Sequence, residues 1–145
     1  VQPERELMAI GKAIKARLTA HAGTDALVDG RIYPEEAPQG PTYPLIVYQV
    51  IGAPRTYVMG GATGEVDADV QIDCYAGTYE EVGDLATQVR LALNFFAGTS
   101  GGVVVERVFL DNEFGNPEPQ LVRSDEVGIR RRTMLFTVHY AEAVA

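Results

Sequence analysis

The sequence predicts an α+β fold: a mostly antiparallel sheet of about four main strands with two helices packed on one face. Three observations carry that expectation. Residues 65–75 alternate strictly, with Val66, Ala68, Val70, Ile72 and Cys74 on one side and Glu65, Asp67, Asp69, Gln71 and Asp73 on the other. Two stretches, beginning at Pro3 and Thr78, repeat apolar residues at helical spacing. Three further runs, 45–51, 103–110 and 126–140, are rich in β-branched and aromatic residues.

The first helix opens with Pro3 in its first turn and Glu4 and Glu6 at the positive end of the dipole. Leu7, Ile10, Ile14 and Leu18 then form one stripe, and Gly23 is placed to stop the helix, with a short turn over 24–28. Gly30 and Pro34 bracket a brief extended piece, Arg31-Ile32-Tyr33. Residues 35–44, with three prolines and one glycine, cross the surface as irregular chain. The run 45–51 is apolar on both faces, the mark of a strand in the middle of the sheet.

Residues 52–64 form a glycine-rich connection carrying Arg55, Tyr57, Val58 and Met59, expected as the extended tip of a hairpin leading into the acidic strand. Thr78-Tyr79-Glu80-Glu81 has the pattern of a capping box, so the second helix starts there. Val82, Leu85, Ala86, Val89, Leu93 and Phe96 make its buried stripe, and Gly98 ends it near a flexible turn. In the last strand Val127 and Ile129 are out of phase with Met134 and Phe136, which predicts a bulge or a change of covered face near Arg130-Arg131-Arg132. The segment 111–125 is expected as a long acidic connection.

At 145 residues and 46% hydrophobic content, residues 1–145 suit a single domain that buries roughly 70% of its unfolded surface. A net charge of −8, with a pI near 4.7, argues against sequence-independent binding of nucleic acid and against anionic membranes. The lone cysteine, Cys74, allows no internal disulfide and falls on the inward side of its strand, where it serves as a small hydrophobe. A reducing compartment fits that usage. The first residues are too polar for a signal peptide, and the longest apolar run is too short to span a bilayer.

No residue constellation names a reaction. Asp67, Asp69 and Asp73 could be considered as acid–base pairs or as oxygen ligands for a hard cation. Same-face neighbours on a strand lie about 6.8 Å apart, where two charges repel by about 0.6 kcal/mol in water. A solvated or cross-strand-paired row, opposite the arginines of the last strand, therefore accounts for them best, with a partner-facing or channel-facing role as the other candidate. His21 and His139 are distant in sequence, and one cysteine offers no zinc spacing. Ser100 and Ser124 lack a hydrolase elbow, and the glycine run 60–64 lacks the lysine of a phosphate loop. Arg130, Arg131 and Arg132 suit ion pairing with the acidic face. Tyr57, Val58 and Met59 either fold back over a sheet edge or form an adhesive loop that orders against another subunit.

The chain resembles the small tail-completion proteins of long-tailed bacteriophages and related gene transfer agents, which include tail terminators. The resemblance is carried by the opening helix, Gly30-Arg31-Ile32-Tyr33-Pro34, Pro38-Gln39-Gly40 and Tyr43-Pro44-Leu45-Ile46-Val47-Tyr48. Further along it includes Val70-Gln71-Ile72-Asp73-Cys74-Tyr75-Ala76, Thr78-Tyr79-Glu80-Glu81, Leu85-Ala86 and Leu135-Phe136-Thr137-Val138-His139-Tyr140. It implies a structural virion protein with no enzymatic activity and no cofactor. It also implies a homo-oligomeric ring of six subunits at the head-proximal end of the tail, assembled in the host cytoplasm. Such a ring would end polymerisation of the tail tube protein and meet a head connector or stopper protein, while DNA passes through its lumen without specific binding. On that resemblance Arg55, Tyr57, Val58 and Met59 become candidate subunit or partner contacts, and Asp67, Asp69 and Asp73 become candidate lumen-facing acids. The alternatives are a head-completion or tube protein of the same assembly, or a small α+β enzyme or ligand-binding domain using the acidic strand.

Overall fold

The computed structural model describes residues 3–52, 55–58, 61–117 and 129–141, with side chains over 8–52, 67–115 and 129–140. In chain order the elements are α1 (Pro3–Ala20), α2 (Ala22–Val28), β1 (Ile32–Pro34), β2 (Leu45–Gly52), β3 (Arg55–Val58) and β4 (Gly61–Ala76). They continue with α3 (Tyr79–Leu93), β5 (Gly98–Ser100), β6 (Val103–Pro117) and β7 (Arg130–Ala141).

The expectation of about four mostly antiparallel strands and two helices is overturned. Among the described residues there are three helices and one mixed sheet, with six strands in the order β1-β2-β4-β7-β6-β5 and β3 paired to β4 as a seventh. The pair β1–β2 is parallel and the others are antiparallel. The strands beyond the four main ones, β1, β3 and β5, have three or four residues each, too few to show a period of two, and of these only β1 matches an expected extended piece, Arg31-Ile32-Tyr33. The run 45–51 is also displaced from its expected place. β2 is second from an edge, and the middle belongs to β4 and β7.

The helical layer covers one face. Ile10, Ile14 and Leu18 of α1, Val28 of α2 and Val82, Leu85, Val89 and Leu93 of α3 share a core with Val70, Ile72, Cys74, Met134, Phe136 and Val138 of the sheet. Gly23 does not end α1. The helix stops at Ala20, and the His21 ring nitrogen accepts from the Thr24 N–H at 3.3 Å, capping α2. Gly23 lies inside α2, where a Cβ would come within 2.1 Å of the Gln88 side-chain oxygen and displace the end of that side chain. α3 begins as its sequence dictates, with the Thr78 hydroxyl accepting from the Glu81 N–H at 3.1 Å.

α3 ends earlier than Gly98, at Leu93, and Gly98 opens β5. The turn from β5 to β6 uses Gly101 and Gly102 at φ +56 and +82, the left-handed pair that a two-residue hairpin requires. Among the described residues β7 pairs with β4 without a register shift from Arg130 to Ala141, so the first of the two expectations, a bulge, is not found there; the other, a change of covered face from Val127, lies outside the described residues. The irregularities fall on β6 instead, between Val105 and Arg107 and between Leu110 and Asn112. β6 itself runs on to Pro117, so the first half of the expected acidic connection is strand; the remainder, 118–125, lies outside the described residues. No described helix is long and apolar enough to cross a membrane.

Candidate functional site

The second face of the sheet, away from the helices, is where the acidic row sits. Cross-strand register sets Asp67 opposite His139, Asp69 opposite Thr137, Gln71 opposite Leu135 and Asp73 opposite Thr133. Asp67 and His139 are in hydrogen-bond contact through Oδ1 and Nδ1, and both side chains are partly exposed. The His139 ring also meets Phe109 edge-on at 5.5 Å, and Phe109 meets Phe95 edge-on at 6.1 Å. Thr137 donates its hydroxyl to the Asp111 carboxylate, while Asp69 is exposed beside it.

Asp73 is different. It is only 8% exposed and accepts from the Thr133 hydroxyl at 2.7 Å and from the Gln71 amide at 2.9 Å. Leu45, Val47 and Thr133, which share this end of the second face, are also buried. The face is therefore dry at the Asp73 end and wet at the Asp67 end.

Arg132 does not answer the acidic row, whereas Arg131, in register with Tyr75, shares its face. Arg132 lies in register with Cys74, on the helix face, and its Nη1 meets Glu113 Oε2 of β6 at 2.8 Å. Arg90 of α3 approaches the same carboxylate at 3.7 Å. Side chains alternate along a strand, so neighbouring arginines cannot all turn to one face. Together with Tyr79, Val82 and Phe114, the arginines and Glu113 border a cleft of about 360 Å³ at this end of the sheet.

Cys74 is fully buried, and burial, with Asp73 and Glu113 nearby, pushes its thiol well above the usual range, against a smaller opposite effect of Arg132. The thiolate that a nucleophile or a metal ligand needs is thereby suppressed. Among the described residues no three His, Cys, Asp or Glu side chains converge as a metal site would require.

Of the other sequence candidates, Arg55, Tyr57 and Val58 lie on β3, whose backbone pairs with the start of β4 through Arg55↔Val66, Tyr57↔Ala62 and Val58↔Gly61. Met59 lies outside the described residues. Sequence reasoning passed over Glu113, Phe109 and Phe114, which lie in or beside the segment expected as a connection. The one available signal was the β-branched run of 103–108 continuing into Phe109, Leu110 and Phe114.

These features define a domain that presents sheet surface and sheet edges. The sequence matches the model of the tail completion protein gp17 family over residues 12–125. The chain belongs to that family: it is a structural tail-completion protein, a tail-associated virion component that works among other tail or head proteins. Among solved structures, a chain titled "Virion of native gene transfer agent (GTA) particle" is similar in fold. The TM-score is 0.71, over 94% of this chain and 96% of that one, at 16% sequence identity. No curated protein matches the sequence.

Proposed function

We propose that this protein closes the head-proximal end of a phage-like tail tube as a ring of copies, six in number, working as a structural part rather than a catalyst. The ring stops the tube protein from polymerising further and offers its other side to the head connector or stopper. The family match over residues 12–125 carries this reading, and the fold shared with a virion chain along nearly the whole length supports it.

In this reading Asp67 and Asp69 line the lumen, with Asp73 buried behind them. The net charge of −8 repels phosphates, so DNA slides through instead of being held. β3, with Arg55, Tyr57 and Val58, and Met59 beyond it, contacts a neighbouring subunit or tail component.

Deleting the gene is expected to leave filled heads and unjoined tails, some of abnormal length, in electron micrographs. Normal infectious particles from the deletion would refute the reading.

A further inference from the structure

On a chain of net charge −8, basic side chains gather beside the first turn of α3, where β6 and β7 run past it. Arg130 and Arg132 of β7 lie in register with the buried Ala76 and Cys74, so both turn to the helix face. As next-but-one neighbours on a strand they stand about 6.8 Å apart. Arg131 between them turns the other way, as does Phe114, in register with Thr133. Arg90 of α3 joins the helix-face pair, 3.7 Å from Glu113. Glu113 is the one carboxylate among the described residues that line the cleft, and Glu80, Glu81 and Asp84 of the adjoining helix do not line it. Glu113 takes Arg132 at 2.8 Å, whereas Arg130 is exposed and engages no described residue.

The cleft is shaped as well as charged. Gly115 faces Arg132 across the strand pair, and its backbone has no positive φ that would call for glycine. Space calls for it instead. A Cβ there would stand 3.1 Å from Arg132 Nε, so the bare position leaves room for the guanidinium. Glu113 and Gly115 thus settle Arg132 before any partner arrives, which reduces the side-chain freedom lost on binding. Tyr79, the first residue of α3, lines the cleft as well and is 72% exposed.

Arginine forks take carboxylates through paired hydrogen bonds, and arginine beside tyrosine is the composition of strong contact points between proteins. Phosphates suit arginine equally well. A DNA backbone, however, would have to approach a chain of net charge −8, and it brings no apolar group for Tyr79 and Val82. At about 360 Å³ the cleft has room for a few side chains, which fits an extended segment rather than a folded surface.

We propose that this cleft docks an acidic, extended segment of another tail or head protein, with a carboxylate between Arg130 and Arg132 and an apolar side chain against Tyr79. The inference rests on the family's place among tail and head proteins, and not on the ring, its lumen or its subunit number.

The first test exchanges Tyr79 for photoreactive benzoylphenylalanine in the full chain, irradiates assembled particles and identifies the linked peptide by mass spectrometry. The expected product joins position 79 to a segment of a different virion protein rich in aspartate or glutamate. A link to a second copy, to DNA or to a segment without carboxylates would overturn the proposal, as would no link from well-formed particles. A second measurement needs no assembly: a labelled peptide alternating glutamate and leucine should bind the free full-length protein at least tenfold more tightly than its glutamine counterpart, by fluorescence anisotropy. Arg130→Glu should weaken that binding about tenfold, and Lys12→Glu, an equal change of charge at an exposed site on α1, should leave it unchanged. Equal weakening by the two variants, equal binding of the two peptides, or displacement of the peptide by duplex DNA would overturn the proposal. None of these outcomes bears on the ring, which the gene deletion tests.

Discussion

The two faces of β4 come from the same eight residues and behave oppositely. On the helix face Ala68, Val70, Ile72 and Cys74 are uniformly buried, because the helical layer, with α3 against β4, shares one core with them. On the second face burial changes along the strand, from partly exposed Asp67 and exposed Asp69 to buried Asp73. Alternation in sequence thus identifies the face the chain covers for itself. It does not say how wet the other face is, which depends on what the neighbouring strands bring beside each position.

Substitution on the two faces should separate them most sharply. Val70→Asp places a charge in a fully buried apolar site and should cost more than about 4 kcal/mol, enough to unfold the domain in circular dichroism. Asp67→Lys with Asp69→Lys should move stability by no more than about 1 kcal/mol, since the Asp67–His139 pair is partly exposed. The same double variant tests the lumen assignment. Assembled particles carrying it should release DNA more slowly at low salt and recover at moderate salt, and unchanged release would remove these residues from the channel wall.

The gradient along the second face can be probed at its dry end. Asp73→Ala leaves the buried Thr133 hydroxyl without its acceptor and should cost about 1–3 kcal/mol in a urea titration. Adding Thr133→Val should recover part of that loss, and a strictly additive double variant would show that the two do not act as a pair. On the helix side, Thr78→Ala removes the α3 cap and should cost about 1 kcal/mol by the same measurement.

The smallest effect concerns protons. Burial raises the Cys74 thiol above its ordinary value of 9.0, so above that pH the unfolded chain loses a proton that the native state keeps. The native state then binds more protons, and stability falls as pH rises from about 9. Tyr48, also raised by burial, adds to the slope above its ordinary 10.0. Urea midpoints measured from neutral to alkaline pH should show the decline, with a shallower slope in Cys74→Ala.

Much of the local structure was legible in the sequence, because its causes are local. The Thr78 cap, the α1 stripe through Ile10, Ile14 and Leu18 and the alternation of Ala68 through Cys74 each follow from spacing within one element. The candidate site was legible only as a row of carboxylates. That Asp67 meets His139, that Asp73 is buried against Thr133 and that Arg132 turns to Glu113 are all consequences of strand pairing across long stretches of chain.

The same division holds for the elements that differed from expectation. β1, β3 and β5 have three or four residues and exist because a longer neighbour offers them an edge, so their own composition carries little of the reason. The stretch from Asp111 to Pro117 has the acidic and proline content of a loop, yet it is held as strand by β7 beside it. Sequence by itself determined the amphipathic segments, the acidic charge and the absence of a reactive cysteine site. Only the tertiary structure decided which strands lie at the edges and which carboxylates stay in water, because hydrogen-bonded pairing and burial depend on residues far apart in the chain.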